Sequence, residues 1–225
     1  MRIPTGLGKM DKMISGGFPE HSVILLSGGP GTGKTLFALK FLLEGAKKGE
    51  KCCYATLNES REELLKACES IKSLSCIKNY LDKNIVIEHI PLDEGSLSLG
   101  KFVNIIAKNY PKLDRIVVDN VNKLMLYSDS KSHYRVHLAE LVRTLRNTRS
   151  AILLCETDSD ERMDSGNYES FECDGVVQLM FLELEERPMR VLVVHKMRYT
   201  NFEAKLPHEI SISDDDIEMT KTRVI

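Results

Sequence analysis

The chain has 225 residues, 42% of them hydrophobic, which is enough for one large domain with a substantial core. A formal net charge of -2 excludes a global basic field that would attract nucleic acid or an anionic membrane. No stretch approaches the ~20 apolar residues of a membrane-spanning helix. The six cysteines show no C-x-x-C spacing, and several lie in apolar runs where free cysteine packs as a small hydrophobe. These features predict a protein of the reducing cytoplasm without membrane insertion.

A glycine-rich octapeptide, GGPGTGKT at residues 28–35, follows the apolar run 23–26 and precedes a helical pattern. Glycines let successive backbone N–H groups converge on phosphate, and the following helix directs its positive N-terminus at the same charge. Lys34 is then placed to reach the β- and γ-phosphates, and the Thr35 hydroxyl to bind Mg²⁺. The motif predicts a nucleoside triphosphate ligand and does not identify the base. The residues assigned to its binding are Gly29, Pro30, Gly31, Thr32, Gly33, Lys34 and Thr35.

Beyond this loop, short β-type runs alternate with helical ones. Strands are expected at 53–57, 85–90, 115–119 and 151–155, and helices at 61–71, 97–110 and 132–148. Such alternation is typical of a mostly parallel sheet with crossover helices. Nearly continuous apolar strands fit a sheet that is covered on both faces. We therefore predict an α/β fold, with a twisted, mostly parallel sheet flanked by helices.

Asp119 ends the expected strand 115–119 and can supply the second half of a phosphate-loop site. A carboxylate at the C-terminal edge of a neighbouring strand orders the water shell of Mg²⁺. An aspartate there can also merely cap the following loop, but a phosphate loop about 85 residues upstream favours the metal role. We assign Thr35 and Asp119 to the Mg²⁺ site.

The pattern changes after residue 173. Residues 176–184 and 189–197 flank the turn sequence 185–188 and predict an antiparallel hairpin, with a further strand at 209–212. The acidic run 214–216 is interpreted as a solvated turn. We expect an antiparallel extension over 173–213 within one domain that spans 1–225.

Three segments resemble the KaiC and RadA branches of the RecA-type ATPases. They are residues 5–19 before the loop, YATLNES at 54–60, and KMRYT at 196–200, which is similar to the K-M-R-G segment of KaiC proteins. The resemblance covers nearly the whole chain and corresponds to a single KaiC-like domain with an opening segment at 1–20. It implies a RecA-like P-loop NTPase core that binds ATP and Mg²⁺. It also implies a homo-oligomer, usually a hexameric ring, with nucleotide sites between subunits.

The same resemblance gives a role to Lys196 and Arg198. In the family, the matching residues lie on the C-terminal hairpin and point across the interface at the neighbour's γ-phosphate. A cation supplied in trans stabilises charge on the transferred phosphoryl group. Strand alternation puts both side chains on one face, which also suits two solvated cations. The motif favours the catalytic role in trans.

One position departs from the family pattern. Where the family has a Glu-Glu pair whose first member polarises the attacking water, this chain has Asn58 and Glu59. Asparagine orients water but does not accept its proton, and losing a general base typically costs ~10² to 10⁴ in rate. Glu59 would take over only if the backbone bulged, since adjacent strand residues point to opposite faces. The resemblance therefore implies ATP binding and leaves the rate of hydrolysis open.

Three functions fit these residues. The preferred one is a slow ATPase whose nucleotide state regulates assembly or a protein partner. The second is a competent ATPase in which Glu59 replaces the missing base. The third is a RadB-like recombination accessory protein that acts with DNA or a recombinase. The acidic segment 157–172 would repel phosphates and counts against nucleic acid.

Overall fold

The computed structural model describes residues 1–90, 102, 112–184 and 187–223. The strands are β1 (Arg2–Ile3), β2 (Phe18–Pro19), β3 (Ser22–Gly28), β4 (Cys52–Thr56), β5 (Ile85–His89), β6 (Arg115–Asp119), β7 (Ser150–Glu156), β8 (Gly175–Leu184), β9 (Arg187–Met197), β10 (Pro207–Ile212) and β11 (Ile217–Arg223). The helices are α1 (Gly8–Met13), α2 (Lys34–Ala46), α3 (Arg61–Glu69), α4 (Lys72–Ser75), α5 (Lys131–Leu145) and α6 (Glu169–Glu172), with 3-10 helices at Cys76–Tyr80 and Val121–Tyr127. Apart from Phe102, the helix expected at 97–110 lies outside the described residues, as do turn residues 185 and 186.

Nine of the described strands form one sheet in the order β11-β10-β9-β8-β3-β7-β6-β4-β5. The strands from β8 to β5 pair in parallel. Strands β8, β9, β10 and β11 each pair antiparallel with the next strand in the chain. The predicted mostly parallel sheet and its antiparallel C-terminal extension are confirmed.

Helices cover both faces because the central strands are apolar on both. All of β3 is buried. Its Ile24 and Leu26 belong to the core that α2 shares, whereas Val23 and Leu25 belong to the core that α5 shares. This division follows from the alternation of side chains along a strand. Burying each such side chain contributes roughly 1.5–3 kcal/mol. In the described ranges, none of the helices has the length and apolar character needed to span a membrane.

The C-terminal end of the chain differs from the prediction. Strand β11 extends the antiparallel part beyond residue 213, and its alternating Ile217 and Met219 are buried. The interpretation of 214–216 as a solvated turn is wrong for Asp216, because the Lys40 ammonium and the Ser73 hydroxyl both donate hydrogen bonds to its carboxylate. Asp216 thereby connects the start of β11 to α2 and α4 by side-chain hydrogen bonds.

Candidate nucleotide-binding site

The phosphate-binding loop, residues 28–35, joins β3 to α2 at the carboxyl edge of the sheet. Gly31 and Gly33 have positive φ, at 73° and 103°, a backbone region that favours glycine. A Cβ at Gly28 would lie 2.2 Å from the Leu179 carbonyl oxygen. The turn therefore requires glycine for backbone reasons, and it brings the assigned loop residues together at the N-terminus of α2. Those residues are Gly29, Pro30, Gly31, Thr32, Gly33, Lys34 and Thr35.

Lys34 turns back over this loop. Its Nζ donates to the carbonyl oxygens of Gly28 and Gly29, each at 2.8 Å. Burial lowers the pKa of the ammonium, while the Glu156 and Asp119 carboxylates act in the opposite direction. Among the described residues this half-buried ammonium bonds only to neutral carbonyls of its own loop, so its charge is available to an anion. The loop thus fits a phosphate group.

Asp119 lies at the end of β6 and is 7% exposed. Its Oδ2 accepts a hydrogen bond from the Tyr54 hydroxyl at 2.5 Å, and the Thr35 side chain acts on the pKa of the same Tyr54 hydroxyl. Burial raises the pKa of Asp119, and the Tyr54 hydrogen bond partly offsets the rise. Asp119 and Thr35, the two residues assigned to Mg²⁺, therefore both lie near the Tyr54 hydroxyl. Their hydroxyl and carboxylate oxygens are ligands that suit this ion.

Asn58 and Glu59 lie in the loop that follows β4, which ends at Thr56. The Thr56 hydroxyl donates to the Glu59 carbonyl at 2.9 Å and accepts from the Asn58 amide at 3.1 Å. Because neither residue belongs to a strand, strand alternation does not set the directions of their side chains. Glu59 can face the site without a β-bulge.

Glu59 is half-buried, and its Oε2 has no hydrogen-bond partner among the described residues. Burial raises the pKa of this carboxyl, and the nearby carboxylates of Asp119, Glu63 and Glu156 raise it further. Glu59 therefore lies within electrostatic range of Asp119, one of the two residues assigned to Mg²⁺. Its higher pKa makes it a stronger base than an ordinary glutamate.

Two charged residues that the sequence analysis did not single out also lie here. Glu156 ends β7, and its carboxylate acts on both Lys34 and Asp119. Like Asp119, it follows an apolar strand, and this signal was readable in the sequence. Lys123 donates a hydrogen bond from Nζ to Asn58 Oδ1. No motif marks Lys123, because its contact joins two loops that are distant along the chain.

Arg190 of β9 reaches the phosphate-binding loop from the antiparallel extension. Its guanidinium carbon lies 5.1 Å from the centroid of the Phe181 ring, and its Nε donates to the Gly31 carbonyl at 3.4 Å. The extension therefore contributes a cation beside the loop, which the sequence pattern did not predict.

The structure does not bring Lys196 and Arg198 to the phosphate-binding loop of the same chain. Lys196 Nζ donates to the Cys173 carbonyl at 2.6 Å, and Arg198 donates to Asp174 Oδ1 at 3.1 Å. Both lie near Gly175 at the start of β8, and Gly175 pairs with Ile24, four residues before the end of β3. That position is about 13 Å from the end of β3, at roughly 3.3 Å per residue. Neither cation is placed to act on a nucleotide in its own subunit.

Comparison with known proteins agrees with the family and the fold that the sequence predicts. The family model described as "ATPase: KaiC" matches residues 3–224. A UPF0273 protein of Methanopyrus kandleri is 29% identical, with 99% of this chain and 93% of that protein aligned. A UPF0273 protein of Pyrococcus horikoshii is 28% identical, with 100% and 96% aligned. The crystal structure of a KaiC-like protein from Pyrococcus horikoshii superposes with a TM-score of 0.82 at 27% identity, covering 98% of this chain and 99% of that one.

Proposed function

We propose that this chain, which belongs to the KaiC family of ATPases, binds ATP with Mg²⁺ and hydrolyses it with Glu59 as the base, as a nucleotide-dependent regulatory or assembly module. The observation that carries the proposal is the half-buried Lys34 ammonium, whose hydrogen bonds within the described part of the chain go to carbonyls of its own glycine-rich loop. An incoming phosphate gives this charge the anionic partner that it lacks. The matched family supports ATP as the nucleotide.

Each side chain of the site has a distinct task in this proposal. Lys34 and the loop N–H groups bind the β- and γ-phosphates, and Thr35 and Asp119 would hold Mg²⁺. The ion, when bound, neutralises charge on the phosphates. Glu59 accepts the proton of the attacking water, since its unpaired carboxylate oxygen is buried and its pKa is raised. Asn58 lacks a basic group and takes no proton.

We further propose that the site is completed by a neighbouring copy, in a ring of six. The same-chain distance of Lys196 and Arg198 from the phosphate-binding loop supports this arrangement. Arg198 lines a surface cavity of about 410 Å³ together with Val136 and Phe171. These two apolar side chains are 63% and 66% exposed, a pattern that favours burial against another protein surface.

Thermal unfolding with and without ATP and Mg²⁺ tests nucleotide binding. A ligand that binds only the folded state stabilises it by about RT ln(1 + [L]/Kd), so the wild type should unfold at a higher temperature with nucleotide. Lys34→Ala should lose most of this shift while unfolding at nearly the wild-type temperature without ligand. A full shift in Lys34→Ala would refute the assignment of the phosphate site.

A further inference from the structure

Lys123 lies near Asp119, one of the two residues assigned to Mg²⁺, and makes two hydrogen bonds there. It lies in the 3-10 helix Val121–Tyr127, which begins two residues after Asp119, and the Asn120 side chain accepts from the Lys123 amide at 3.2 Å. Its Nζ donates to Asn58 Oδ1. The first bond is local to the segment after β6, and the second joins this segment to the loop after β4, the strand that pairs with β6. The ammonium is therefore at the carboxyl edge of the sheet, where the phosphate-binding loop also lies.

Among the described residues, Asp119 and the carboxylates near it outnumber the cations that act on Asp119. The carboxylates of Asp119, Glu59 and Glu156 act on one another, and the cations that act on Asp119 are Lys34 and Lys123. A bound triphosphate adds further negative charge, of which Mg²⁺ offsets only part. Lys34 is assigned to the β- and γ-phosphates from the phosphate-binding loop, and Lys123 offers a second ammonium for the γ-phosphate from the segment after β6.

Asn58 suits this task because it is neutral. Its carboxamide oxygen must face the ammonium, which can only donate hydrogen bonds. The contact therefore positions Lys123 without cancelling its charge. A glutamate at position 58 would form an ion pair with Lys123 and remove that charge from the site.

We propose that Lys123 is a further phosphate-binding residue, whose ammonium is held by Asn58 in the free protein and binds the γ-phosphate of a bound nucleoside triphosphate. This inference rests on the proposed nucleotide binding. It gives the site a means, within one subunit, of distinguishing the triphosphate from the diphosphate. It also gives a physical reason for asparagine at position 58.

Equilibrium binding of ADP and of a non-hydrolysable ATP analogue, each with Mg²⁺, tests the proposal on the full chain. Lys123→Met should weaken binding of the triphosphate about tenfold, the scale of one hydrogen bond to a charged group. ADP affinity should change less than about twofold, since ADP has no γ-phosphate. Asn58→Glu should reproduce the loss by pairing with Lys123, and Asn58→Gln, which keeps a neutral acceptor, should bind like the wild type.

Lys72→Met is the matched control, because Lys72 is 82% exposed and pairs with Asp215 outside the site. It should leave both affinities unchanged. Equal weakening of both nucleotides in Lys123→Met, or unchanged triphosphate affinity, would overturn the γ-phosphate contact. Wild-type discrimination in Asn58→Glu would overturn the role of Asn58. If the wild type binds neither nucleotide, the proposed function itself fails, a result distinct from these.

Discussion

Asn58 and Glu59 are neighbours in one loop, yet they differ in exposure and in hydrogen bonding. Asn58 is exposed, and its oxygen accepts from Lys123. Glu59 is half-buried, with a carboxylate oxygen that lacks a partner among the described residues and a pKa raised by burial. The residue types alone did not favour either residue as the proposed base, because the sequence does not show which of them is buried beside Asp119.

Replacement of Glu59 tests this division. Glu59→Gln keeps the size of the side chain but replaces the carboxylate with a carboxamide that does not accept the proton of water, so single-turnover hydrolysis should slow by ~10² to 10⁴. Nucleotide affinity should be largely retained, because Glu59 is not assigned to phosphate or metal. Rapid-quench measurement of the first turnover isolates chemistry from product release.

Asn58→Glu serves as the comparison for that measurement. An introduced glutamate would pair with Lys123, which stabilises its ionised form and weakens it as a base. Its hydrolysis rate should therefore stay near or below that of the wild type. The opposite pattern, with faster hydrolysis in Asn58→Glu and no change in Glu59→Gln, would show that the wild-type site lacks a general base.

Local motifs predicted one part of the site, and the tertiary contacts supplied the rest. The phosphate-binding loop and Asp119 were readable because backbone geometry and strand-end position leave a pattern in adjacent residues. Lys123 and Arg190 left none, because each reaches the site from an element that is adjacent only in the folded chain. Glu156 was overlooked although it ends a strand as Asp119 does.

Among the secondary-structure elements, the parallel strands were predictable to within a residue or two because their apolar runs are continuous. The strand Ile217–Arg223 was not predicted. Its alternation of apolar and polar residues is short, and it directly follows an acidic run. It also lies at the sheet edge, where fewer of its residues need to be apolar. Its position depends on the contacts of Asp216 with Lys40 and Ser73, which the local pattern does not specify.

Asp174 joins several of these elements at the start of β8. Its carboxylate accepts from the Val23 amide of β3 at 3.0 Å and from Arg146, just after α5, at 2.9 Å. Arg198, just after β9, donates to the same side chain. Burial by itself would raise the pKa of Asp174, but the hydrogen bonds from Arg146 and the Val23 amide hold the pKa below its ordinary value of 3.8. The ionised carboxylate therefore stabilises the folded state.

Asp174→Asn should lower the free energy of unfolding by about 1–3 kcal/mol at neutral pH, the scale for hydrogen bonds to a charged group. Because the folded-state pKa is depressed, this contribution is present above pH 3.8 and is lost as the pH falls through the lower folded-state value. Urea unfolding curves of both proteins should therefore converge in acid. Asp215→Asn, which removes an exposed carboxylate paired with Lys72, should show no measurable change. A difference between wild type and Asp174→Asn that persists unchanged in acid would contradict the electrostatic account.

For the whole molecule, the positions of Lys196 and Arg198 relate turnover to association. Each lies near the start of β8 and bonds there to the segment that precedes this strand. In the proposed ring, a nucleotide site takes these cations from another copy through a head-to-tail contact. Activity per protomer should then increase with protein concentration.

Mixed assemblies provide the decisive measurement. Arg198→Ala removes the cation and keeps the nucleotide site, whereas Asp119→Ala damages the site and keeps the cation, so each parent should be nearly inactive. In rings assembled randomly from equal amounts, about a quarter of the head-to-tail interfaces combine an intact site with an intact Arg198. Hydrolysis should therefore recover above either parent after subunit exchange, and a mixture of Arg198→Ala with the double variant Arg198→Ala/Asp119→Ala should not recover. Absence of recovery in the first mixture, with exchange verified by labelled subunits, would show that Arg198 does not act across an interface.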